Sequence, residues 1–321
     1  MSAVHAPPEP WLALHAPAKL NLSLAVLDRR ADGYHDIESL MVAVTLGDGL
    51  ALRATSEPGI RLAVRYGPGL AATPLARDVP TGRDNLVVRA AEALAAAAGV
   101  ERGLDIELVK RVPAGAGLGG GSSDAAAVLR GAARAWGLDW KPVRLAALGA
   151  TIGSDIPFFL GDGPAIAGGR GELLEPVVGV PPLPAVIACP ATGLSTAAVY
   201  AACVPDPARR GNALRLATAL ARGDLRGALP WLSNALEAPA RRLCPDVDRL
   251  LDSLASAGAV CPRLTGSGSA CFALARTATE ARGIAARLAA ERGSAGERLW
   301  PGVFTVRLVT MAGERGSLAP G

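Results

Sequence analysis

The sequence predicts an α+β fold in two parts, on three observations. Residues 104–136 read as strand, glycine-rich loop and helix. The N-terminal region alternates apolar and polar residues in the manner of paired strands, and a strand, helix, strand order returns towards the C-terminal side, after glycines cluster at 161–171. With 321 residues, half of them hydrophobic, the chain can build two ordinary domains or one large one with an ample core.

After a proline-rich leader, Leu20, Leu22, Leu24 and Val26 share one face of a strand over 18–26, while Lys19, Asn21 and Ser23 share the other. A Lys and an Asn on one strand face can reach a phosphate or a substrate hydroxyl together; an edge strand with an exposed polar face has the same pattern. Residues 28–33 read as a turn ending in Tyr34 and His35, before a second strand over 37–46. An aromatic beside an imidazole can grip a planar base, although a packing Tyr and a surface His are the plainer alternative. Short strands follow at 50–54 and 60–64. Asp84 is placed to cap a helix over 85–98 that Gly99 closes.

Residues 113–124 read Pro-Ala-Gly-Ala-Gly-Leu-Gly-Gly-Gly-Ser-Ser-Asp, between the alternating strand 104–108 and an alanine-rich helix over 125–136. Unpaired N–H groups and the positive end of the dipole make such a helix start suit an anion. Glycines let the backbone approach a phosphate with no Cβ in the way, and Ser122 or Ser123 is expected to cap the helix. No Lys follows the glycines, so the loop is not the Walker type. A turn that merely lets a helix pack on a sheet has the same composition.

A helix over 142–150 leads to 151–159, where Asp155 lies between Gly153 and Pro157 in an apolar neighbourhood and must either cap a helix or face a cleft. The glycines of 161–171 read as a crossover into a second domain. Beyond it are a buried strand at 185–189, a short helix over 196–203 carrying Tyr200, and helices at 212–221, 225–236 and 247–257. A second glycine-serine loop at 264–269 and a strand at 270–274 precede a helix at 277–291 and a strand at 303–309.

A net charge of +4 from 33 basic and 29 acidic residues, spread without a block, and 4% aromatics argue against a nucleic-acid partner. Five scattered cysteines form no CxxC pair, so neither a disulfide framework nor a zinc site is expected. No stretch is apolar enough to span a bilayer and no export signal is read at the N-terminus, so a cytoplasmic location away from membranes is expected.

Together, Pro-Ala-Lys-Leu-Asn at 17–21, the 113–124 loop, residues 153–158 and the Thr-Gly-Ser-Gly-Ser of 265–269 resemble the GHMP kinase family over roughly residues 15–310. The resemblance implies a two-domain GHMP kinase fold, an N-terminal domain over 11–170 and a C-terminal domain over 171–311, with flexible termini at 1–10 and 312–321 and the active site in the cleft. It implies ATP on Pro113, Gly115, Gly117, Leu118, Gly119, Gly120, Gly121, Ser122 and Ser123, completed by Gly266 and Ser267. Mg2+ would bridge the phosphates with a hydroxyl of Ser122 or Ser123 as ligand. Asp155 would be the catalytic base, Lys19 its cationic partner, and Asn21 would orient the acceptor. Ala31-Asp32-Gly33-Tyr34-His35 is similar to the branch whose small-molecule substrate carries a cytidine diphosphate group and is phosphorylated on the 2-hydroxyl of a methylerythritol moiety. There Tyr34 and His35 meet Thr196 and Tyr200 around the base. Homoserine- or mevalonate-type kinases and a non-catalytic ligand-binding relative are the alternatives, and the oligomeric state is left between monomer and homodimer. Asp124 departs from the Asn of many relatives.

Overall fold

The leucine alternation at the N-terminus produces two long antiparallel strands, β1 (Leu12–Arg29) and β2 (His35–Thr55), which pair along nearly their whole length. This computed structural model describes residues 10–309; the expectations for 1–9 and for the tail beyond 309 lie outside the described residues. The expected break in β2 at 47–49 does not occur. Gly47 and Gly49 are used for close approach, since a Cβ at Gly47 would collide with His15 and the Ala16 carbonyl and one at Gly49 would stand 2.8 Å from Arg111.

The remaining strands are β3 (Ile60–Tyr66), β4 (Gly103–Lys110), β5 (Ala165–Gly168), β6 (Leu173–Pro176), β7 (Pro184–Cys189), β8 (Arg263–Leu264), β9 (Cys271–Leu274) and β10 (Gly302–Val309). The sheet runs β3-β4-β2-β10-β7-β9-β8, with β1 and β5 also on β2 and β6 on β5. Among the strands of the described residues, only β3 and β4 pair in parallel. The last strand therefore bridges the two parts of the chain, pairing Val44 and Ala43 on one side and β7 on the other.

Helices α1 (Pro68–Ala71), α2 (Leu86–Ala98), α3 (Gly120–Ala135), α4 (Pro142–Ala150) and α5 (Ile156–Leu160) belong to the first part; of these, α2, α3 and α5 bury alanine, leucine and phenylalanine side chains against β2 and β4. The second part holds α6 (Thr196–Ala201), α7 (Asn212–Ala221), α8 (Leu225–Ala228), α9 (Glu237–Leu243), α10 (Pro245–Ser256) and α11 (Ala278–Ala290). One of three buried clusters contains Leu20, Val42, Ile187, Leu216, Phe272 and Leu308, so packing is continuous from one part to the other.

Three local expectations are corrected. Asn85, not Asp84, caps α2, its Oδ1 accepting the Val87 N–H at 2.9 Å. Helix α3 starts at Gly120 behind Gly119 in the left-handed region, so Ser122 and Ser123 lie inside its first turn and cap nothing. The helix read over 225–236 stops at Ala228. Pro230, which lacks an N–H, sits in a 3-10 turn, and the chain then extends so that Ser233 and Ala235 bond to Leu24 at 2.8 Å before α9 begins.

Candidate active site

The polar face of β1 is buried, not exposed: Lys19, Asn21 and Ser23 are 4%, 4% and 2% accessible. Both glycine-serine loops lie along its free edge. The Lys19 N–H donates to the Leu118 carbonyl (2.9 Å) and the Asn21 N–H to Thr265 Oγ1 (3.0 Å). Lys19 Nζ donates to Asn21 Oδ1 (2.5 Å) and to the Gly117 carbonyl (2.9 Å), and stands 3.9 Å from Asp155 Oδ2. Asn21 Nδ2 donates to Ser39 Oγ (2.7 Å), which donates to the Ser23 carbonyl (2.6 Å). This relay fixes which end of the Asn21 amide faces Lys19. Burial holds the Lys19 ammonium below the ordinary range of an amine, and the Asp155 carboxylate works against that fall. Asp155 occupies the N-cap position of α5 but makes no cap bond; its side chain is 34% exposed, facing the cleft.

The glycine loop keeps Gly115, Gly117 and Gly119 at φ of 67°, 80° and 71°, where side chains are strained. A Cβ on Gly117 would also collide with the Thr265 carbonyl, so at this point the two loops meet backbone to backbone. Beneath them is a buried charge network. Asp48 Oδ1 accepts the Arg111 N–H (2.5 Å) and the Val112 N–H (2.8 Å), its Oδ2 accepts from Lys110 Nζ, and Lys110 also donates to Asp124 Oδ2 (2.7 Å). The network thus ties the chain before the loop to the helix after it. Burial opposes the charge on Lys110, yet Asp124 and Asp48 hold its ammonium above the usual range; burial in turn pushes the Asp124 carboxyl up. Asp124 Oδ1 and Ser123 Oγ are buried without a hydrogen-bond partner.

Of the loop residues singled out in the sequence, Gly115, Gly117, Gly119 and Ser122 line the cleft, together with Gly266 and Ser267. Pro113 is buried, and Leu118 points its side chain into the core. A Cβ on Gly120 would meet Val112 at 3.0 Å, while Gly121 has only Leu86 nearby at 3.7 Å. The two candidate hydroxyls part company: Ser122 faces the cavity, and Ser123 faces inward at 1% exposure.

At the other end of the same cavity, of about 870 Å3, the His35 and Tyr200 rings stand 5.3 Å apart, tilted by 35°. Thr196 Oγ1 lies 2.8 Å from Ser267 Oγ, linking α6 to the second loop. Burial raises the Tyr200 hydroxyl above its usual range, with Asp155 and Cys203 adding to the effect. Tyr34 is 57% exposed at the rim, with the Arg170 guanidinium 4.9 Å above its ring. Arg29 and Arg170 also line the cavity and were missed in the sequence, where nothing separates them from the many dispersed arginines.

The chain that carries this lysine-carboxylate pair, backbone cradle and aromatic pair is similar to known proteins in sequence and fold. Residues 85–163 match the model for the GHMP kinases N terminal domain, and residues 216–295 that for the GHMP kinases C terminal. A 4-diphosphocytidyl-2-C-methyl-D-erythritol kinase of Pelotomaculum thermopropionicum is 42% identical over 274 residues, 85% of this chain and 92% of that one. The chain belongs to the GHMP kinase family. A solved structure of a 4-(cytidine 5'-diphospho)-2C-methyl-D-erythritol kinase superposes with a TM-score of 0.72 at 36% identity, over 92% of this chain and 99% of its own. Homoserine kinase from Cytophaga hutchinsonii superposes with a TM-score of 0.70 at 20% identity, covering 98% of this chain and 99% of its own, and shares the GHMP kinase fold. Among the described residues, no helix is long and apolar enough to cross a membrane.

Proposed function

We propose that this GHMP kinase transfers the γ-phosphoryl group of ATP to the 2-hydroxyl of 4-diphosphocytidyl-2-C-methyl-D-erythritol, yielding the 2-phosphate and ADP in the cytoplasm, as a step of non-mevalonate isoprenoid precursor synthesis. The observation that carries this reading is one continuous cavity joining the Lys19–Asp155 pair to the His35–Tyr200 rings. A phosphoryl-transfer centre needs the first; an acceptor bearing a nucleobase needs the second, which a homoserine or mevalonate acceptor does not. The relatives named above support the same acceptor. Residues 11–170 and 171–311 serve as the two domains flanking the cleft.

Asp155 takes the proton of the acceptor hydroxyl as its oxygen bonds to the γ-phosphorus and the bond to the ADP oxygen breaks. Lys19, 3.9 Å away, keeps Asp155 ionised and offsets charge growing on the hydroxyl oxygen and the moving phosphoryl group. The hydrogen bonds from Lys19 to Asn21 and Gly117 lock its position before substrate arrives, so little reorganisation remains for the reaction. Asn21 orients the acceptor, the loop N–H groups hold the phosphates, and His35, Tyr200, Thr196 and Tyr34 enclose the cytidine end. Oxygen donors suit Mg2+: Ser122 lines the cavity, and its hydroxyl would hold the ion with phosphates and waters completing the shell. Bound there, Mg2+ would neutralise phosphate charge.

The test is ADP release by purified protein with ATP and magnesium, offering the cytidine acceptor beside mevalonate, homoserine and galactose. Turnover with the cytidine acceptor alone is expected. Turnover with another acceptor would remove the base-binding role of His35 and Tyr200, and ATP binding without any turnover would favour a ligand sensor.

A further inference from the structure

The glycine-rich loop offers N–H groups but no cation of its own, and the nearby lysines are committed. Lys19 is engaged by Asn21, Gly117 and Asp155, and Lys110 by two buried carboxylates. Among the described residues, Arg77 is a further cation beside the loop. Arg77 lies in the segment between α1 and α2, half-buried. Its backbone N–H donates to the Leu75 carbonyl (2.9 Å), its carbonyl accepts from the Tyr66 hydroxyl, and its Nη2 donates to the Ala191 carbonyl (3.0 Å) just beyond β7. Two contacts thus hold the Arg77 backbone, and the third ties its guanidinium across the seam between the two parts of the chain. Nη1 is 3.4 Å from where a Cβ on Gly115 would stand, and a Cβ on Gly193 would collide with the same guanidinium. Among the described residues, Nη1 and Nε have no hydrogen-bond acceptor.

We propose that Arg77 is a phosphate-binding residue for the nucleotide, supplying at the first glycine of the loop the positive charge that the loop lacks. This rests on the reading that ATP lies on the 115–123 backbone. A guanidinium presents parallel N–H donors that fit two phosphate oxygens at once. The bond from Nη2 to Ala191 holds that fork in place, so ordering it on binding costs little. The glycine at 193 has a reason too: any side chain there would displace the guanidinium from the loop.

Calorimetric titration of ATP and of adenosine into the full-length protein, Arg77→Gln, Arg77→Lys and Tyr66→Phe tests this. Arg77→Gln is expected to weaken ATP roughly 10- to 100-fold, the range of a lost charge-assisted hydrogen bond, while adenosine affinity and the KM for the acceptor stay unchanged. Arg77→Lys, which keeps charge but loses the fork, is expected to cost ATP about 3- to 10-fold and decides the matter if the glutamine variant does not fold. Tyr66→Phe, which removes one tether and no charge, is expected to change ATP affinity by less than about 3-fold. Equal losses for ATP and adenosine, or a lowered melting temperature with ATP affinity intact, would reduce Arg77 to a structural strap and overturn the proposal. Wild-type protein that binds no ATP would overturn the site reading itself. The titrations decide Arg77 whichever acceptor is phosphorylated.

Discussion

The two ends of the cleft are built by different means, which suits the two targets proposed for them. The proposed phosphate end is built from backbone: glycines at positive φ, N–H groups at a helix start, and a second loop whose Thr265 carbonyl comes too close to Gly117 for any Cβ there. The base end is built from side chains carried by opposite parts of the chain, His35 on β2 and Tyr200 on α6. A backbone cradle tolerates no added bulk but asks nothing of side-chain identity. The ring pair tolerates changes of backbone but depends on two particular aromatic groups. Damage at the first end should therefore appear in ATP binding or folding, and damage at the second in acceptor KM.

The largest effect should come from the junction of the two ends. Asp155→Asn is expected to lower kcat about 10^2- to 10^4-fold, the range for loss of a general base, with ATP affinity retained; near-normal single-turnover rates would exclude Asp155 as the base. Gly117→Ala combines an unfavourable φ with a collision at the Thr265 carbonyl, and is expected to raise the KM for ATP at least about 10-fold or to lower the melting temperature by several degrees. A variant with both parameters unchanged would break the backbone half of the comparison. Tyr200→Ala is expected to raise acceptor KM roughly 10-fold, an aromatic contact's worth, while leaving the KM for ATP alone; a change in the ATP value instead would mean that the two ends are not separable.

The smallest effect concerns Lys19. Because burial lowers its titration below the ordinary 10.5, it loses its proton at lower pH than a free lysine, and the alkaline limb of kcat/KM should fall correspondingly early. The cost of burying the charged ammonium is present below the folded value and is relieved as pH rises through it towards 10.5. Asp155 holds that titration up, so Asp155→Asn should move it further down, as followed by NMR of the lysine ε-carbon. An upward shift would contradict the pairing.

The asymmetry also explains what could be read in advance. Glycine spacing, the Lys19–Asn21 alternation and the isolated Asp155 are local signals, and the structure places these residues beside one another along one cavity. The edge-strand alternative for β1 failed because burial of its polar face comes from loops more than ninety residues away in sequence, as in the 2.9 Å bond from Lys19 to Gly117, 98 positions on. Asp48 was hidden for the same reason: it falls in the gap between the strands expected at 37–46 and 50–54, whereas it is a fully buried anchor for Arg111 and Val112. The serines were misplaced because a glycine pair, poor in isolated helices, is admitted to the first turn of α3 where Gly120 packs tightly on Val112.

The position of β10 bears on how the chain is made. It forms the seam between β2 and β7, and the Arg307 N–H reaches the Thr45 hydroxyl across 262 residues of sequence. During synthesis the early strands emerge long before their partner, and the gap beside Val44 and Ala43 stays open until residues 302–309 leave the ribosome. A nascent chain halted before that point presents unpaired edges on both β2 and β7, which makes it a template for pairing with other chains. Contacts of such high sequence separation also make the final sheet closure slow relative to the helical packing around α2 and α3.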